Sequence, residues 1–458
     1  MSSVPSVAGH HQGAALDVQT RADRWHRTHT PLARGWHGAG TWLTAGAGRR
    51  SMRTVWPVIC GAGLDTVFVR WTWCRALLHR GWWLVTSVYL VVDARLPAAE
   101  LVLIGVGQSA VALLFEVPAG VLADTFSRKW SLVVSHVLMG AAMLATGLVG
   151  GFVPLLATQM LWGLSWTFAS GADVAWISDE LAEPARVSVV LMRSEQAQLT
   201  GTVAGLVGIG GLAWLTKPGT AMVLAGAAML LLGLYVVVRF REQRFVPVRA
   251  KRWSASWSIL TRGSALVRGS RVVLAIFAAT FLVNGVVNAF GRLYPLRLVD
   301  IGLSADPVVW LAGLGVLMSL AGAAGLRLVR PHTDGVHTMR RGYVIACAVA
   351  AVGVVALAGA PEEYSGSLAV LLAAGALPLT RTFGTISVNR QTSSTVRATV
   401  HSLLAQAKYL GEIICGLALA AIAQLATMSI ALVACGALLA ITILLVQRFG
   451  SSRPERAR

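Results

Sequence analysis

The sequence predicts an all-α membrane protein that crosses the bilayer twelve times. Hydrophobic residues make up 55% of the chain, charged residues only 13%, and the mean hydropathy is +0.66. This composition is far from that of a soluble globular protein. A helix needs about 20 apolar residues to cross a bilayer. Twelve apolar runs of suitable length follow one another, at 77–95, 99–122, 129–150, 153–177, 195–216, 219–239, 271–296, 306–328, 341–360, 366–388, 399–424 and 427–447.

The longest spacer between these runs divides the chain into two halves of six predicted helices. It covers 240–270 and contains a single acid, Glu242, among many basic residues. These basic residues are Arg241, Arg244, Arg249, Lys251, Arg252, Arg262 and Arg268. The domains that we expect are a six-helix bundle over 76–239, a basic cytoplasmic linker over 240–270, a second six-helix bundle over 271–447 and a basic cytoplasmic tail over 448–458.

Basic residues also predict how the helices are oriented, because Lys and Arg are retained on the cytoplasmic side of a membrane. Even-numbered connections carry them, as at Arg128 and Lys129, whereas odd-numbered connections such as 361–364 are short and poor in positive charge. We therefore expect a multi-pass protein of the cell membrane with both termini in the cytoplasm. Orientation and contact with anionic lipid explain the net charge of +19 better than nucleic-acid binding does.

Residues 1–75 do not continue this pattern, since they are rich in Gly, Arg, His and Trp without a helical period. We expect a disordered or interfacial cytoplasmic tail. Segment 54–69 is apolar but short and contains Asp65, so an interfacial helix is favoured over a thirteenth span. Metal binding by the histidines of the tail and translation from Met52 are the alternatives for this region. The five cysteines show no paired spacing; no disulfide framework, metal site or cofactor is predicted.

A charged turn between the second and third runs carries the most specific motif. Residues 120–132 read GVLADTFSRKWSL. This stretch resembles the signature loop of the major facilitator superfamily, and the positions that match in register are Gly120, Leu122, Ala123, Asp124, Arg128 and Lys129. Thr125 and Ser127 depart from the pattern, which has Arg and Gly there. The stretches FEVPAG at 115–120 and VRATVHS at 396–402 also resemble the superfamily.

The resemblance covers about residues 75–447 and implies two pseudo-symmetric six-helix bundles that rock about a site near the membrane midplane. In the superfamily the signature loop makes contacts in one conformation that are broken in the other. The gate residues that follow from the resemblance are Gly120, Asp124, Arg128 and Lys129. We extend the gate to Glu116 and Asp173, because both lie near the helix ends that flank the loop, and to Asp179 and Glu180. A proton carrier is the alternative role of Glu116.

Two departures argue against a standard drug and proton antiporter. Gln159 stands where those proteins have an Arg in the fourth helix, and the glycine-rich stretch 201–211 lacks their Gly-Pro step. Gly201 and Gly205 lie one helical turn apart and predict close packing of the fifth helix against a neighbour.

Polar residues inside the spans are candidates for the substrate path, because a charge near the bilayer centre costs at least about 2.5 kcal/mol and usually faces a partner or a wet cavity. In the seventh run Asn284, Asn288 and Arg292 recur at a spacing of four and share one face, which suits a polar or anionic group. The other candidates, from the tenth and eleventh runs, are Arg381, Gln406, Lys408 and Glu412. The alternative is an interhelical hydrogen-bond network without substrate contact.

Together these patterns predict a monomeric secondary transporter, and not an enzyme, that moves a small organic solute by alternating access. Export coupled to protons through Glu116 or Glu412 is the favoured version, and proton-coupled uptake is the alternative. A membrane-embedded enzyme or a sensor without transport is disfavoured, because the odd-numbered loops are too short for a catalytic domain. The chain has no phosphate-binding glycine loop followed by Lys and Ser or Thr, so ATP is not the implied energy source.

Overall fold

The computed structural model of the protein describes residues 63–247, 271–329, 336–391 and 394–449. Within these ranges the chain is helical and contains no strand. The helices are α1 (Leu64–Val88, continued by one π-helical turn at Tyr89–Asp93), α2 (Ala98–Thr125), α3 (Arg128–Thr146), α4 (Phe152–Ala169), α5 (Ala172–Leu181), α6 (Pro184–Leu215), α7 (Pro218–Arg239), α8 (Arg271–Ile301), α9 (Pro307–Val329), α10 (Val336–Ala358), α11 (Glu363–Gln391), α12 (Ser394–Leu425) and α13 (Met428–Phe449).

Ten helices in the described ranges are long and apolar enough to cross a membrane, namely α2, α3 and α6 to α13. The two other predicted crossings correspond to α1, which contains three arginines, and to the pair α4 and α5. The prediction of an all-α, multi-pass membrane protein is confirmed. We call α1 to α7 the first half and α8 to α13 the second half.

The first helix begins at Leu64, well before the predicted start at residue 77. Val67, Phe68 and Trp71 of this earlier part are buried in the hydrophobic core. The predicted tail boundary at 75 is therefore wrong. The prediction of an interfacial helix is also wrong for the part of segment 54–69 that begins at Leu64. Residues 54–62 lie outside the described ranges. Asp65, which made this stretch unattractive as a span, is neutralised by Arg186 of α6, whose Nη2 lies 3.0 Å from its carboxylate.

The fourth predicted span is broken instead of continuous from 153 to 177. Helix α4 ends at Ala169 and α5 begins at Ala172. Gly171 between them has a φ of +76°, in the left-handed region that glycine adopts without steric cost. The break redirects the chain, so Asp173 and Asp179 lie on a separate short helix.

The two halves repeat the same close helix packing. A Cβ atom at Gly205 of α6 would overlap the carbonyl oxygen of Leu77 on α1, and one at Gly411 of α12 would overlap the carbonyl oxygen of Phe281 on α8. Both glycines thus let one backbone contact another directly. Gly201 has a similar relation to Trp73, as expected for a fifth helix that packs through its small residues.

The halves meet through α2 against α8 and α12, and through α6 against α9. We call the end of the bundle where α2 passes into α3 the loop end, and the opposite end the distal end. Gly416 of α12 packs on Val106, and Gly210 near the end of α6 packs on Ala312 near the start of α9. All four residues lie in the distal parts of their helices, so the halves are in contact toward that end.

Candidate functional site

The turn between α2 and α3 is held by charges of the first half. The hydroxyl of Ser127 caps α3 by accepting a hydrogen bond from the backbone N–H of Trp130 at 3.0 Å. Arg128 forms ion pairs with Asp179 of α5 and, at 3.6 Å, with Asp124 of α2. Its guanidinium also donates to the carbonyl oxygen of Ala175 at 2.9 Å. Three helices are therefore tied together at the loop end.

Glu242, from the segment after α7, binds the start of α3. Its carboxylate accepts hydrogen bonds from the backbone N–H groups of Arg128 at 2.9 Å and Lys129 at 3.2 Å, and from the hydroxyl of Ser127. An anion is favourable there because the helix dipole and the free N–H groups point toward it. Glu180 similarly accepts from the backbone N–H of Gln243 at 2.8 Å. The segment after α7 is thus fastened to the loop end.

The remaining predicted gate residues lie apart from this network. Asp173 forms a salt bridge of 3.2 Å with Arg75 of α1. Glu116 accepts hydrogen bonds from the hydroxyl of Ser170 at 2.9 Å and from the hydroxyl of Tyr409 at 3.4 Å. Because Tyr409 belongs to α12, Glu116 contacts both halves.

Gly120 faces open space: a Cβ atom placed there would have no other group within 4 Å. The predicted gate therefore divides into a loop network around Arg128, an Arg75–Asp173 pair and a Glu116–Tyr409 contact.

Two of the three polar residues on α8 reach across to α2. The amide nitrogen of Asn288 donates to the carbonyl oxygen of Gly105 at 3.3 Å and to the hydroxyl of Ser109 at 3.2 Å. Arg292 donates to the side-chain oxygen of Gln108 and lies over the Trp83 ring, 4.7 Å from its centroid. Arg292 is buried, with 7% of its surface exposed.

Asn284, the third member of the stripe, is buried and donates to the carbonyl oxygen of Thr280 on its own helix at 2.7 Å. The shared face exists, but its members have different partners.

Glu412 of α12 joins this contact between the halves. Its carboxylate accepts a hydrogen bond of 2.6 Å from the hydroxyl of Ser109 on α2. Lys408, one helical turn away, has its ammonium 3.9 Å from the same carboxylate. Ser109 thereby contacts Asn288 and Glu412 at once and links α2 to α8 and α12. Gln406, also on α12, is half-buried.

Arg381 of α11 is exposed, and so is Arg80 of α1, a residue that was absent from the predicted site. Arg80 lies well inside its helix. Next to Arg80, the His79 ring stacks on Trp162 of α4 with centroids 5.3 Å apart and 11° between the planes. A cluster of aromatic rings therefore lies between α1 and α4.

Solved structures share this architecture. The nucleoside transporter NupG matches with a TM-score of 0.69 at 14% identity, over 86% of this chain and 100% of that one. A POT family transporter in complex with 5-aminolevulinic acid has a TM-score of 0.68 at 9% identity, over 84% and 96%. A bacterial homolog of the human lysosomal transporter Spinster, inward-facing and occupied, has a TM-score of 0.66 at 14% identity, over 86% and 100%.

These structures are transporters of the major facilitator type. The chain has the major facilitator superfamily fold. No protein-family model matches the sequence, and no curated protein matches it. All the solved structures named above are transporters.

The sequence predicted several of the polar residues that lie at the contact between the halves, but it more often missed the residues to which they bond. Gln108 and Ser109 were overlooked because uncharged polar residues in an apolar run give a weak signal. Arg75 fell in the assumed tail. Arg80 could have been found, since an arginine inside an apolar run marks a partner or a wet cavity.

Gln159, where antiporters of the family have Arg, accepts a hydrogen bond from the side chain of Gln108 at 3.1 Å. Gln159 thereby extends the chain of hydrogen bonds that runs from Arg292 through Gln108. The position keeps a polar connection to the boundary between the halves without carrying a charge.

Proposed function

We propose that the protein is a secondary transporter that moves a small organic solute across the membrane by alternating access. The observation that carries the proposal is the distribution of polar contacts between the halves. Ser109 with Glu412, Asn288 with Ser109, and Arg292 with Gln108 join α2 to the second half, whereas the charges of the loop motif contact their own half. The likeness to solved transporters supports the same conclusion.

The proposed cycle exchanges one set of contacts for another. To open the distal end, the protein must break the polar contacts of α2 with α8 and α12. To close the loop end, we propose that Asp124 and Arg128 then contact the second half; the resemblance assigns them charge contacts with neighbouring helix ends that hold the inside closed. Because each set is made in one state only, their difference in free energy sets the balance between the states.

Glu412 is the proposed point of proton coupling. Its carboxylate accepts from Ser109 of the other half and lies 3.9 Å from Lys408. Protonation would remove the charge that attracts Lys408 and weaken the bond to Ser109, since hydrogen bonds to charged groups are the stronger ones. A proton at Glu412 would therefore favour separation of the halves. Export remains the favoured direction, with uptake by proton symport as the alternative.

We further propose that the protein acts as a monomer in the cell membrane with the loop end in the cytoplasm. The basic connections on that side of the predicted helices support this orientation. The distal end would then face outward, and the structure would correspond to a state that is closed outside.

The experiment that tests the function is a reversible lock on the distal end. A Cβ atom at Gly210 would lie 3.6 Å from the Cβ of Ala312, between α6 and α9, within the separation of about 3.5–4.5 Å that disulfides require. Gly210→Cys with Ala312→Cys, in a background without the native cysteines, should cross-link on oxidation. Proteoliposomes are then screened for exchange of labelled cationic, neutral and anionic solutes. Oxidation should stop exchange, and a thiol reductant should restore it.

A matched control lies inside the second half. A Cβ atom at Gly375 of α11 would lie 3.6 Å from the Cβ of Ala321 on α9. Gly375→Cys with Ala321→Cys should also cross-link, but it joins two helices of one half and should leave exchange unchanged. Exchange that continues after complete cross-linking of positions 210 and 312, or the absence of exchange for every solute, would refute alternating access.

A further inference from the structure

We infer that Lys408 of α12 is a switch controlled by a proton: it pairs with Glu412 while the distal end is closed, and with Glu116 of α2 once Glu412 is protonated. The inference deepens the proton coupling proposed at Glu412 and rests on the proposed function for its place in a transport cycle. It depends on the register of α12 against α2, on a tyrosine ring that Lys408 and Glu116 both contact, and on the neutral partners of Glu116.

Helix α12 runs antiparallel to α2 across the boundary between the halves. The contacts that show this are Gly416 with Val106, Glu412 with Ser109, and Tyr409 with Glu116. Since α2 ends at the loop end, Glu116 lies about two helical turns nearer that end than Ser109 does. Lys408 precedes Glu412 by one turn, so it lies on the side of Glu412 that faces the loop end.

Lys408 and Glu116 contact the same side chain. The ammonium of Lys408 lies over the Tyr409 ring, 4.8 Å from its centroid, and the hydroxyl of that ring donates to the carboxylate of Glu116 at 3.4 Å. Lysine carries its charge on a flexible four-carbon stem. Rotation about the bonds of this stem can therefore carry the ammonium away from Glu412 and along the ring toward Glu116.

Glu116 has hydrogen bonds but no ion pair within the described ranges. Its carboxylate accepts from the hydroxyl of Ser170 at 2.9 Å and from that of Tyr409, and both donors are neutral. Glu412, by contrast, has the ammonium of Lys408 at 3.9 Å. A charged group inside a membrane span is costly unless it is paired, so Glu116 would gain from a cation that reached it.

Ionisable groups on the other helices that pack against α2 and α12 do not supply that cation. Helix α4 contains none, and α13 contains none before Cys435. Charged residues of the remaining neighbours have other partners: Arg292 of α8 with Gln108, Asp173 of α5 with Arg75, and Arg128 of α3 with Asp124 and Asp179. Among the described residues, Lys408 is the cation that forms an ion pair at this boundary between α2 and α12.

A proton on Glu412 would move the switch. The neutral carboxyl would no longer attract Lys408 and would hold Ser109 less strongly, whereas Glu116 would keep its charge. The O–H bond of Glu412 is the single covalent bond that forms, and Lys408 stays an ammonium throughout. Pairing with Glu116 would then join α12 to α2 nearer the loop end. One proton would thus exchange a distal contact for a contact at the loop end.

The test needs no solute, because Glu412→Gln stands in for the protonated carboxyl in the purified full-length protein. Spin labels at 150 and 362 report the distal end, and labels at 188 and 341 report the loop end. Glu412→Gln should lengthen the first distance and shorten the second. In that background Lys408→Gln and Glu116→Gln should each lower the ratio of closed to open loop ends about tenfold, and together no further. With Glu412 intact, their effects should add.

Titration gives a readout that a merely structural role would not move. Acidification through the range in which carboxylates titrate should lengthen the distal distance in the unchanged protein, in Lys408→Gln and in Glu116→Gln. The loop-end distance should shorten in the unchanged protein but not in these two variants. Lys217→Gln, at an exposed position before α7, removes a lysine elsewhere and should respond as the unchanged protein does.

An exchange of the two charges provides a second variant if Glu116→Gln does not fold. In the Glu412→Gln background, Glu116→Lys combined with Lys408→Glu should restore the closed loop end that either replacement alone removes. Additive effects of Lys408→Gln and Glu116→Gln in that background would overturn the switch. So would a loop end that still closes on acidification in Lys408→Gln, or a charge exchange that restores nothing.

Failure of the switch and failure of transport are distinguishable. A protein whose solute exchange stops when the 210–312 disulfide forms, but in which Lys408 and Glu116 act independently, retains the transport function and refutes the switch. A protein in which the two residues are coupled, but which exchanges no solute, retains the switch and refutes transport.

Discussion

The hydroxyl of Ser109 donates a hydrogen bond of 2.6 Å to the carboxylate of Glu412, and this bond connects α2 of the first half to α12 of the second. The same hydroxyl accepts a bond from Asn288 on α8. One small side chain therefore holds three helices that must separate if the distal end is to open. Its acceptor is also the residue that we propose as the point of proton coupling.

Removing this bond should shift the protein toward the state that is open at the distal end. Ser109→Ala deletes the donor, and Glu412→Gln keeps the size of the acceptor but removes its charge. A hydrogen bond to a charged group contributes about 1.5–3 kcal/mol, so the balance between states should change about tenfold or more. Spin labels at positions 150 and 362, in distal loops of the two halves, should report longer distances in both variants.

Ser319→Ala is the control for that measurement. The hydroxyl of Ser319 donates to the carbonyl oxygen of Gly315 within α9, at 2.8 Å, and so does not join the halves. It should leave the distance distribution unchanged. Identical distributions in the Ser109→Ala, Glu412→Gln and unchanged proteins would mean that the bond does not hold the distal end closed.

Replacing Asp124 or Arg128 by Ala should leave the protein in the membrane but reduce turnover sharply, because both are expected to stabilise a conformation and not to bind the solute. Since Arg128 also pairs with Asp179, Asp179→Asn should resemble Arg128→Ala. The double variant of Asp124 and Arg128 should be less than additive. Spin labels at positions 188 and 341 should report a wider loop end. Normal exchange in Asp124→Ala would contradict the gate.

The sequence was sufficient for the all-helical, multi-pass architecture and for the position of the charged turn between α2 and α3, because both depend on local patterns of apolar and charged residues. It was insufficient where a distant partner changes the interpretation of a polar residue. Asp65 disqualified the start of α1 until Arg186 was seen beside it. The bend at Gly171 could not be distinguished from the many glycines that lie inside helices.

The sequence also could not predict which neighbouring helix each polar side chain contacts. Asn284 and Asn288 share a helical face, yet one bonds to its own helix and the other crosses to α2. That difference depends on where α2 lies and how closely its Gly105 allows α8 to approach. Spacing along one helix carries no information about a neighbour. Which polar residues meet therefore had to come from the tertiary structure.

Arg292 provides a test between a substrate contact and a contact that closes the distal end. From the sequence, Arg292→Ala is predicted to weaken the affinity for an anionic or carbonyl-bearing solute. In the structure its guanidinium is bound to Gln108 and lies over Trp83. If Arg292 closes the distal end, Gln108→Ala should lengthen the distance between labels at 150 and 362 as Arg292→Ala does, and the two effects should not add.

If Arg292 binds the solute instead, only its own replacement should lower affinity. Cysteines at 284 and 288 provide an independent readout, since a hydrophilic thiol reagent should reach them when they line the path, and bound solute should protect them. Cysteines at both positions that stay unreactive in every conformation while exchange is normal would exclude this face from the path.

Gly205 should be intolerant of even one added methyl group, although a nearby glycine on the same helix should accept it. A Cβ atom at Gly205 would overlap the carbonyl oxygen of Leu77 in the backbone of α1, whereas one at Gly208 would have nothing within 4 Å. Both replacements by Ala gain the same helix propensity, about 1 kcal/mol, so the difference between them isolates the packing. Because a backbone atom cannot rotate away, Gly205→Ala should lose about 1–3 kcal/mol of stability, measured as a lower melting temperature in detergent than that of Gly208→Ala. Equal melting temperatures would show that α1 and α6 are not in direct backbone contact at this level.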